Sequence, residues 1–310
     1  MANYTTLDQI DVSALADGYG IEQPTLTALP GGAANSSFRV SSPSGAYVLT
    51  ILDNHDARSA RRLAAHTQAL FRAGIPTIEV IPARDGSLTT PLGDSTVILK
   101  RWVDGKVVEP LPLELLADAG RALAQLHAVD PTSAGLTDVP VGTRRLSAAH
   151  LDYIPRFEDR AFADWLTAGL DRVRSAEAGT QRTPRITHGD LFADNLVISG
   201  GSRLTILDWE TLSLDDPLLD LGMAVVGLAQ EDNALVPARA RALVDGYRSI
   251  ATLTRADLTG LPLEIEHAAL IIAFHRYFRH NIRFPDPDKR TIHRALIRFV
   301  DSIEGHVPGV

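Results

Sequence analysis

The sequence predicts an α+β chain in two parts: a strand-rich first part with one helix, then a longer and mostly helical second part. Three observations lead there. Short β-rich runs crowd the region before Asp104–Gly105, and apolar residues at helical spacing dominate after it. The length of 310 residues suits about two domains. The expected division is 1–103 and 104–310.

Thr25–Leu29 alternates weakly and Ser37–Ser41 follows a Gly-Gly turn, so both read as short strands. Ala46–Leu52, AYVLTIL, is a near-continuous apolar run of the kind found in a strand covered on both faces. Asp56–Ala73 has the pattern of a helix, and Gly74 with Pro76 beyond it is a stop signal. Ile78–Pro82 and Thr96–Val103 read as two further strands around the turn-like Arg84–Ser87. In the second part, Leu116, Ala119, Leu123 and Leu126 share one face of a helix over Leu113–Ala128, which therefore packs into a core. Pro131–Gly142 reads as a loop and Arg156–Glu177 as another helix. Two apolar pieces, Ile186–Leu191 and Asn195–Ser199, precede a short strand at Leu204–Leu207, and a helical tail runs to near Ile303.

Composition narrows the chemistry. The chain is 45% hydrophobic and 22% charged, ordinary for a soluble globular protein. It has no cysteine, which excludes disulfides, thiolate metal sites, iron–sulfur clusters and cysteine nucleophiles. Met1–Asp11 has neither the basic nor the apolar segment of a secretory signal, and no apolar run reaches the roughly 18 residues of a membrane span. A cytoplasmic location without membrane contact is expected. The net charge of −8 gives no broad basic footprint, so nucleic acid is not an expected partner.

The informative stretch is Thr187–Glu210, THGDLFADNLVISGGSRLTILDWE. Phosphoryl transfer to a hydroxyl needs a carboxylate that orients the hydroxyl and accepts its proton, and hard oxygen ligands for Mg²⁺. Asp190 suits the first role and is the candidate catalytic residue. Asn195 and Asp208 suit the second and are the candidate metal ligands. Asp190 and Asn195 lie at the two ends of one tight loop, and Asp208 ends a strand expected to pair back on Leu196–Ile198.

His188-Gly189-Asp190 and Asn195, in the form H-G-D-x-x-x-x-N, resemble the catalytic loop of the aminoglycoside phosphotransferase and choline kinase superfamily. Leu123–His127 is similar to that group's L-x-x-L-H helix end, and Asp216–Leu221 to its D-P-x-x-D-L segment. Gly31–Val40 and Tyr47–Thr50 resemble the homoserine kinase branch in style. The resemblance covers most of the chain and is loose beyond about residue 225. It implies a two-lobed protein-kinase-like fold, an N-lobe of antiparallel sheet plus helix and a larger helical C-lobe. It also implies ATP and Mg²⁺ as cofactors and a hydroxyl on a small molecule as acceptor, in a monomer or homodimer. Within it, His188 holds the loop backbone, Asp220 braces the loop and His127 packs at a helix end.

On the nucleotide side, Gly31 and Gly32 let backbone N–H groups approach a phosphate, and Asn35, Ser36 and Ser37 add donors. Trp102 and Val103 belong to the expected hinge beside the adenine. The chain departs from the superfamily at Thr50, which occupies the place of a third-strand lysine, and the helix after it carries no glutamate; His66, Thr67 and Gln68 stand nearest that place. A charge about 4 Å from a phosphate is worth about 4 kcal/mol at an effective dielectric of ~20. Arg39 or Lys100 could substitute, loop donors and Mg²⁺ could carry the phosphates, or the kinase is weakened or inactive.

On the acceptor side, Glu210, Asp215 and Asp216 are either ammonium-binding or solvated. Arg276 and Arg279 either bind a substrate carboxylate or are solvated arginines of an amphipathic helix. The leading acceptor is homoserine or a related hydroxylated amino acid. The alternatives are an aminoglycoside or other antibiotic, and a non-catalytic nucleotide-binding protein.

Overall fold

The structure, a computed structural model, describes residues 5–30, 35–93, 95–177 and 182–303. Helix α1 (Val12–Tyr19) precedes strands β1 (Thr25–Ala28), β2 (Ser36–Ser42) and β3 (Gly45–Ile51), and α2 (Ala57–Arg72) leads to β4 (Thr90–Leu92) and β5 (Ser95–Arg101). Next come α3 (Leu113–His127), α4 (Ala148–Leu151) and α5 (Arg160–Glu177), then β6 (Arg185–Thr187), β7 (Leu196–Ser199), β8 (Arg203–Ile206) and β9 (Ser213–Asp215). The remainder is α6 (Pro217–Leu228), β10 (Gln230–Glu231), β11 (Ala234–Leu235), α7 (Pro237–Arg248), α8 (Arg255–Tyr277) and α9 (Ala295–Asp301). They form two compact units. One runs to Lys106 and includes Pro131–Asp138 and Ser199–Glu210; the other holds Val107–Asp130, Val139–Ile198 and the chain from Thr211 onward.

The first unit is built on an antiparallel sheet in the order β1-β2-β3-β5-β4. Alternation of side chains gives it two faces. Phe38, Val40, Leu49, Ile51, Val97 and Leu99 pack on one face with Leu15 and Tyr19 of α1. Ile98 packs on the other with Ala60 and Ala64 of α2, Leu52 and Val80. Helix α2 starts where the Asp56 carboxylate accepts the Ser59 N–H at 2.7 Å, and it stops at Gly74, which turns to φ +83°.

One expected strand is absent. Ile78–Pro82 forms no strand, and β4 at Thr90–Leu92 takes the outer place in the sheet. Pro76 and Pro82 flank that segment and remove ladder donors. Its Val80 N–H is taken by the Gln68 side chain at 2.8 Å, leaving one isolated bridge, Val80 to Lys100.

The second unit is helical. Helices α3 and α7 meet at glycine: a Cβ on Gly120 or on Gly246 would collide with the backbone of the facing helix. That close approach places His127, at the end of α3, against Tyr247 of α7, with the ring centroids 5.5 Å apart. Helix α6 packs on α8, and ten of its twelve residues are buried.

Candidate active site

The catalytic-loop candidates lie in the second unit between β6 and β7. Asp190 is half-buried and follows His188 and Gly189. The Asp220 carboxylate accepts the backbone N–H of His188 at 2.8 Å and of Gly189 at 2.7 Å, and it lies 3.0 Å from His127 Nε2. His127 Nδ1 in turn lies 2.8 Å from the Tyr247 hydroxyl. Burial alone would raise the Asp220 pKa; the His127 hydrogen bond, the nearby histidines and the Gly189 N–H outweigh it and hold the carboxyl below its usual range. Burial and then the Asp220 charge push the Tyr247 phenol above its usual range. Asn195 Nδ2 donates to the Asp190 carbonyl at 2.9 Å, which ties the two ends of the loop together.

A residue without any motif stands at the Asp190 carboxylate. Arg144 Nη2 donates to Asp190 Oδ1 at 2.8 Å, while Arg144 Nε is buried and has no hydrogen-bond partner. Gly189 makes room for it. Gly189 sits at φ +76°, and a Cβ there would stand 2.8 Å from Arg144 Cγ. Arg276 stands near enough to Asp190 and Asp194 to feel their charges, and burial pushes its pKa down against them. Asp194 is itself pushed up, by burial and then by Asp190. His275 lies 3.4 Å from the Arg144 carbonyl and packs edge-on against His150. Burial, then the Arg144 charge, push His275 down to about 4.

The first unit carries the other candidates. Asp208 adopts φ +59°, left-handed backbone that aspartate tolerates better than most side chains. Its segment is fixed by Trp209, whose Nε1 donates to Thr77 Oγ1 at 2.7 Å, and Thr77 Oγ1 donates to the Ile206 carbonyl at 2.9 Å. Glu210 accepts from Asn35 Nδ2 and lies 3.5 Å from His55 Nε2. Burial opposes its ionisation, but His55, Asn35 and Lys100 together hold the Glu210 pKa down. Lys100 is pushed below the usual lysine range by burial, against the pull of Asp208 and Glu210.

The remaining nucleotide candidates divide. Gly31 and Gly32 lie outside the described residues. Ser36 is engaged within the fold, its N–H and hydroxyl donating to Asp53 Oδ2 at 2.8 and 2.7 Å. Ser37 and Thr50 are paired across β2 and β3, on the sheet face that α2 covers. Thr50 Oγ1, Asn35 Oδ1 and Trp102 Nε1 are buried with no hydrogen-bond partner. Buried orphans are rare enough to need an explanation. Three polar atoms in one unit suit a polar ligand such as a nucleotide. Trp102 and Val103 line a cavity of about 710 Å³ with Phe71, Ile75, Pro76 and Leu204. His66, Thr67 and Gln68 are all buried and serve the fold: His66 Nε2 lies 2.8 Å from the Thr137 carbonyl, and Thr67 donates to the Leu63 carbonyl at 2.9 Å.

On the acceptor side, Asp215 is paired with Arg145 at 2.7 Å and Asp216 caps α6 and pairs with Arg182 at 2.6 Å. Arg279 sits 5.8 Å over the Phe284 ring, so the two arginines flagged together have different surroundings.

An antiparallel sheet with a helix packed on each face, joined to a helical unit that braces an H-G-D-x-x-x-x-N loop, is the arrangement of a small-molecule kinase. The chain belongs to the phosphotransferase enzyme family, which matches residues 25–253. Among its relatives is the homoserine kinase of Methylobacillus flagellatus, 26% identical over 275 residues, covering 87% of this chain and 85% of that one. The homoserine kinase of Pseudomonas aeruginosa strain PAO1 is 24% identical over 308 residues, covering 96% and 93%. The fold is also that of an amicoumacin kinase solved with AMP-PNP, Ca²⁺ and Ami, with TM-score 0.71, 14% identity, and 98% and 97% coverage. A spectinomycin phosphotransferase solved with ADP and spectinomycin aligns with TM-score 0.68 at 16% identity, covering 96% and 94%. Among the described residues no helix is long and apolar enough to cross a membrane.

Proposed function

We propose that the protein transfers the γ-phosphoryl group of ATP to the hydroxyl of homoserine or a closely related hydroxylated amino acid. The observation that carries the acceptor class is the cationic surround of Asp190. Arg144 is bonded to its carboxylate and keeps a buried, unpartnered Nε, and Arg276 stands nearby. Two guanidinium groups suit an acceptor with a carboxylate, which arginine binds through paired donors. They oppose a polycationic aminoglycoside. The homoserine kinase relatives support the same choice.

In this reading Asp190 orients the acceptor hydroxyl and takes its proton as the oxygen bonds to the γ-phosphorus and ADP leaves. Asp220 and His127 hold the loop backbone so that Asp190 is preorganised. Arg144 fixes the acceptor and returns the Asp190 carboxylate to one position between turnovers. Asn195 and Asp208 each offer a hard oxygen donor of the kind Mg²⁺ accepts. When bound with ATP, that ion neutralises charge on the transferring group.

The test is ADP release with Mg-ATP across homoserine, hydroxylysine, choline, methylthioribose and several aminoglycosides. Turnover is expected with homoserine or a near analogue. Asp190→Asn should lower it by about 10²–10⁴. Arg144→Leu should raise the acceptor KM far more than the ATP KM. Turnover confined to an aminoglycoside would overturn the acceptor assignment.

A further inference from the structure

We propose that Lys100, on β5, is the cation that holds the ATP phosphates in this chain, in place of a lysine on β3. The assignment rests on the kinase reading above.

The sheet register carries the argument. Val48 of β3 is paired with Arg39 on one side and Lys100 on the other, and Thr50 is paired with Ser37 and Ile98. These residues therefore share one face of the sheet. It is the face that α2 covers, since Ile98 packs there against Ala60 and Ala64. Thr50 and Lys100 are diagonal cross-strand neighbours, within reach of one another's side chains. A lysine at either position can deliver its ammonium to the same region.

The alternatives fall away on contact. Arg39 is exposed and spends its guanidinium on the Trp102 ring, 4.5 Å from its centroid. The chain has only three lysines among its 30 lysine and arginine residues. Lys106 and Lys289 are exposed, and Lys100 alone is not. Nearly every other cation is arginine, whereas Lys100 is a compact point charge, the form suited to a phosphate oxygen in a confined space. Lys100 also feels the charges of Asp208 and Glu210, and Asp208 is the candidate ligand for the metal that binds the same phosphates. Glu210, held by Asn35 and His55, takes the part of a fixed counter-charge that places the ammonium. This arrangement accounts for two oddities together: the threonine on β3, and the helix after it with no glutamate.

The first experiment uses the wild-type protein and an ATP acyl-phosphate probe. Attack of a lysine amine on the acyl carbon forms an amide, expels ATP as the leaving group and releases a proton. Peptide mapping should find the acyl group on Lys100, and excess Mg-ATP should prevent it, while any acylation of Lys106 and Lys289 should be insensitive to Mg-ATP. The second is calorimetric binding of Mg-ATP. Lys100→Met should weaken it about tenfold or more, and Thr50→Lys in the Lys100→Met background should recover most of the loss. A role confined to the fold would not be rescued from the neighbouring strand. Lys100 left unacylated, acylation indifferent to Mg-ATP, or Lys100→Met binding equal to wild type would overturn the assignment alone. Wild-type protein that binds no Mg-ATP would overturn the kinase reading, and this assignment with it.

Discussion

Two regions, the Asp220 hub of the helical unit and the groups near Thr50 in the sheet unit, treat their buried polar groups in opposite ways. In the helical unit Asp220 is filled: two backbone N–H groups and one imidazole point at it, and the imidazole is itself met by Tyr247. In the sheet unit Thr50 Oγ1, Asn35 Oδ1 and Trp102 Nε1 are buried with no partner. A satisfied network rigidifies the chain that contains it, whereas an orphaned group costs stability until something binds it. The Asp220 hub therefore holds the His188–Asp190 backbone ready-made, whereas the groups near Thr50 are left open by the chain itself.

Mutations can break or sharpen this contrast. The largest effect should come from Asp220→Ala, which strands His127 and the two N–H groups. A loss of about 3–5 kcal/mol is expected, the cost of removing one member of a buried charged network, read as a lower urea midpoint. A loss under about 1 kcal/mol would erase the contrast.

Acid should reach the same unit next. His275 has a folded pKa of about 4 against an ordinary 6.5, depressed by burial and then by Arg144. Its neutral form is the folded one, so this contribution is complete above 6.5 and is lost as the pH falls through about 4. On the order of 2–3 kcal/mol is at stake. Thermal melts of wild type and His275→Gln at pH 7 and pH 4.5 should diverge, with wild type losing more on acidification. Equal losses would show that this histidine is not the acid-sensitive group.

The smallest effect has the opposite sign. Thr50→Val keeps the shape and removes the orphaned hydroxyl, so stability should rise by up to about 1 kcal/mol while Mg-ATP binding weakens. A stability loss in urea unfolding would mean that Thr50 is satisfied in solution and that the contrast is overdrawn.

Much of this was legible in the sequence, for identifiable reasons. AYVLTIL and the leucine face of Leu113–Ala128 are long, regular patterns, and β3 and α3 lie there. The loop from His188 to Asn195 carries its residues within one short span, so spacing alone pointed to it. The segment Ile78–Pro82 misled because its apolar residues look like those of a strand, while its Val80 N–H is spent on a glutamine side chain and Pro82 supplies none. Helix α1 spans only two turns, with Leu15 and Tyr19 as its buried residues, too few to show a period. Arg144 was not legible at all. It comes from a loop far upstream of Asp190, and the one hint was glycine where many kinases keep arginine. That glycine shows its meaning only when the Arg144 side chain is seen lying against it. Lys100 was visible as a possibility, but preferring it to Arg39 required the Trp102 contact and the difference in exposure.

The Asp220 hub also bears on the order of events during synthesis. Asp190 and Asn195 leave the ribosome before Asp220, and the hydroxyl that steadies His127 belongs to Tyr247, later still. An incomplete chain can thus contain every residue from His188 to Asn195 and still lack the Asp220 carboxylate and the Tyr247 hydroxyl that brace them.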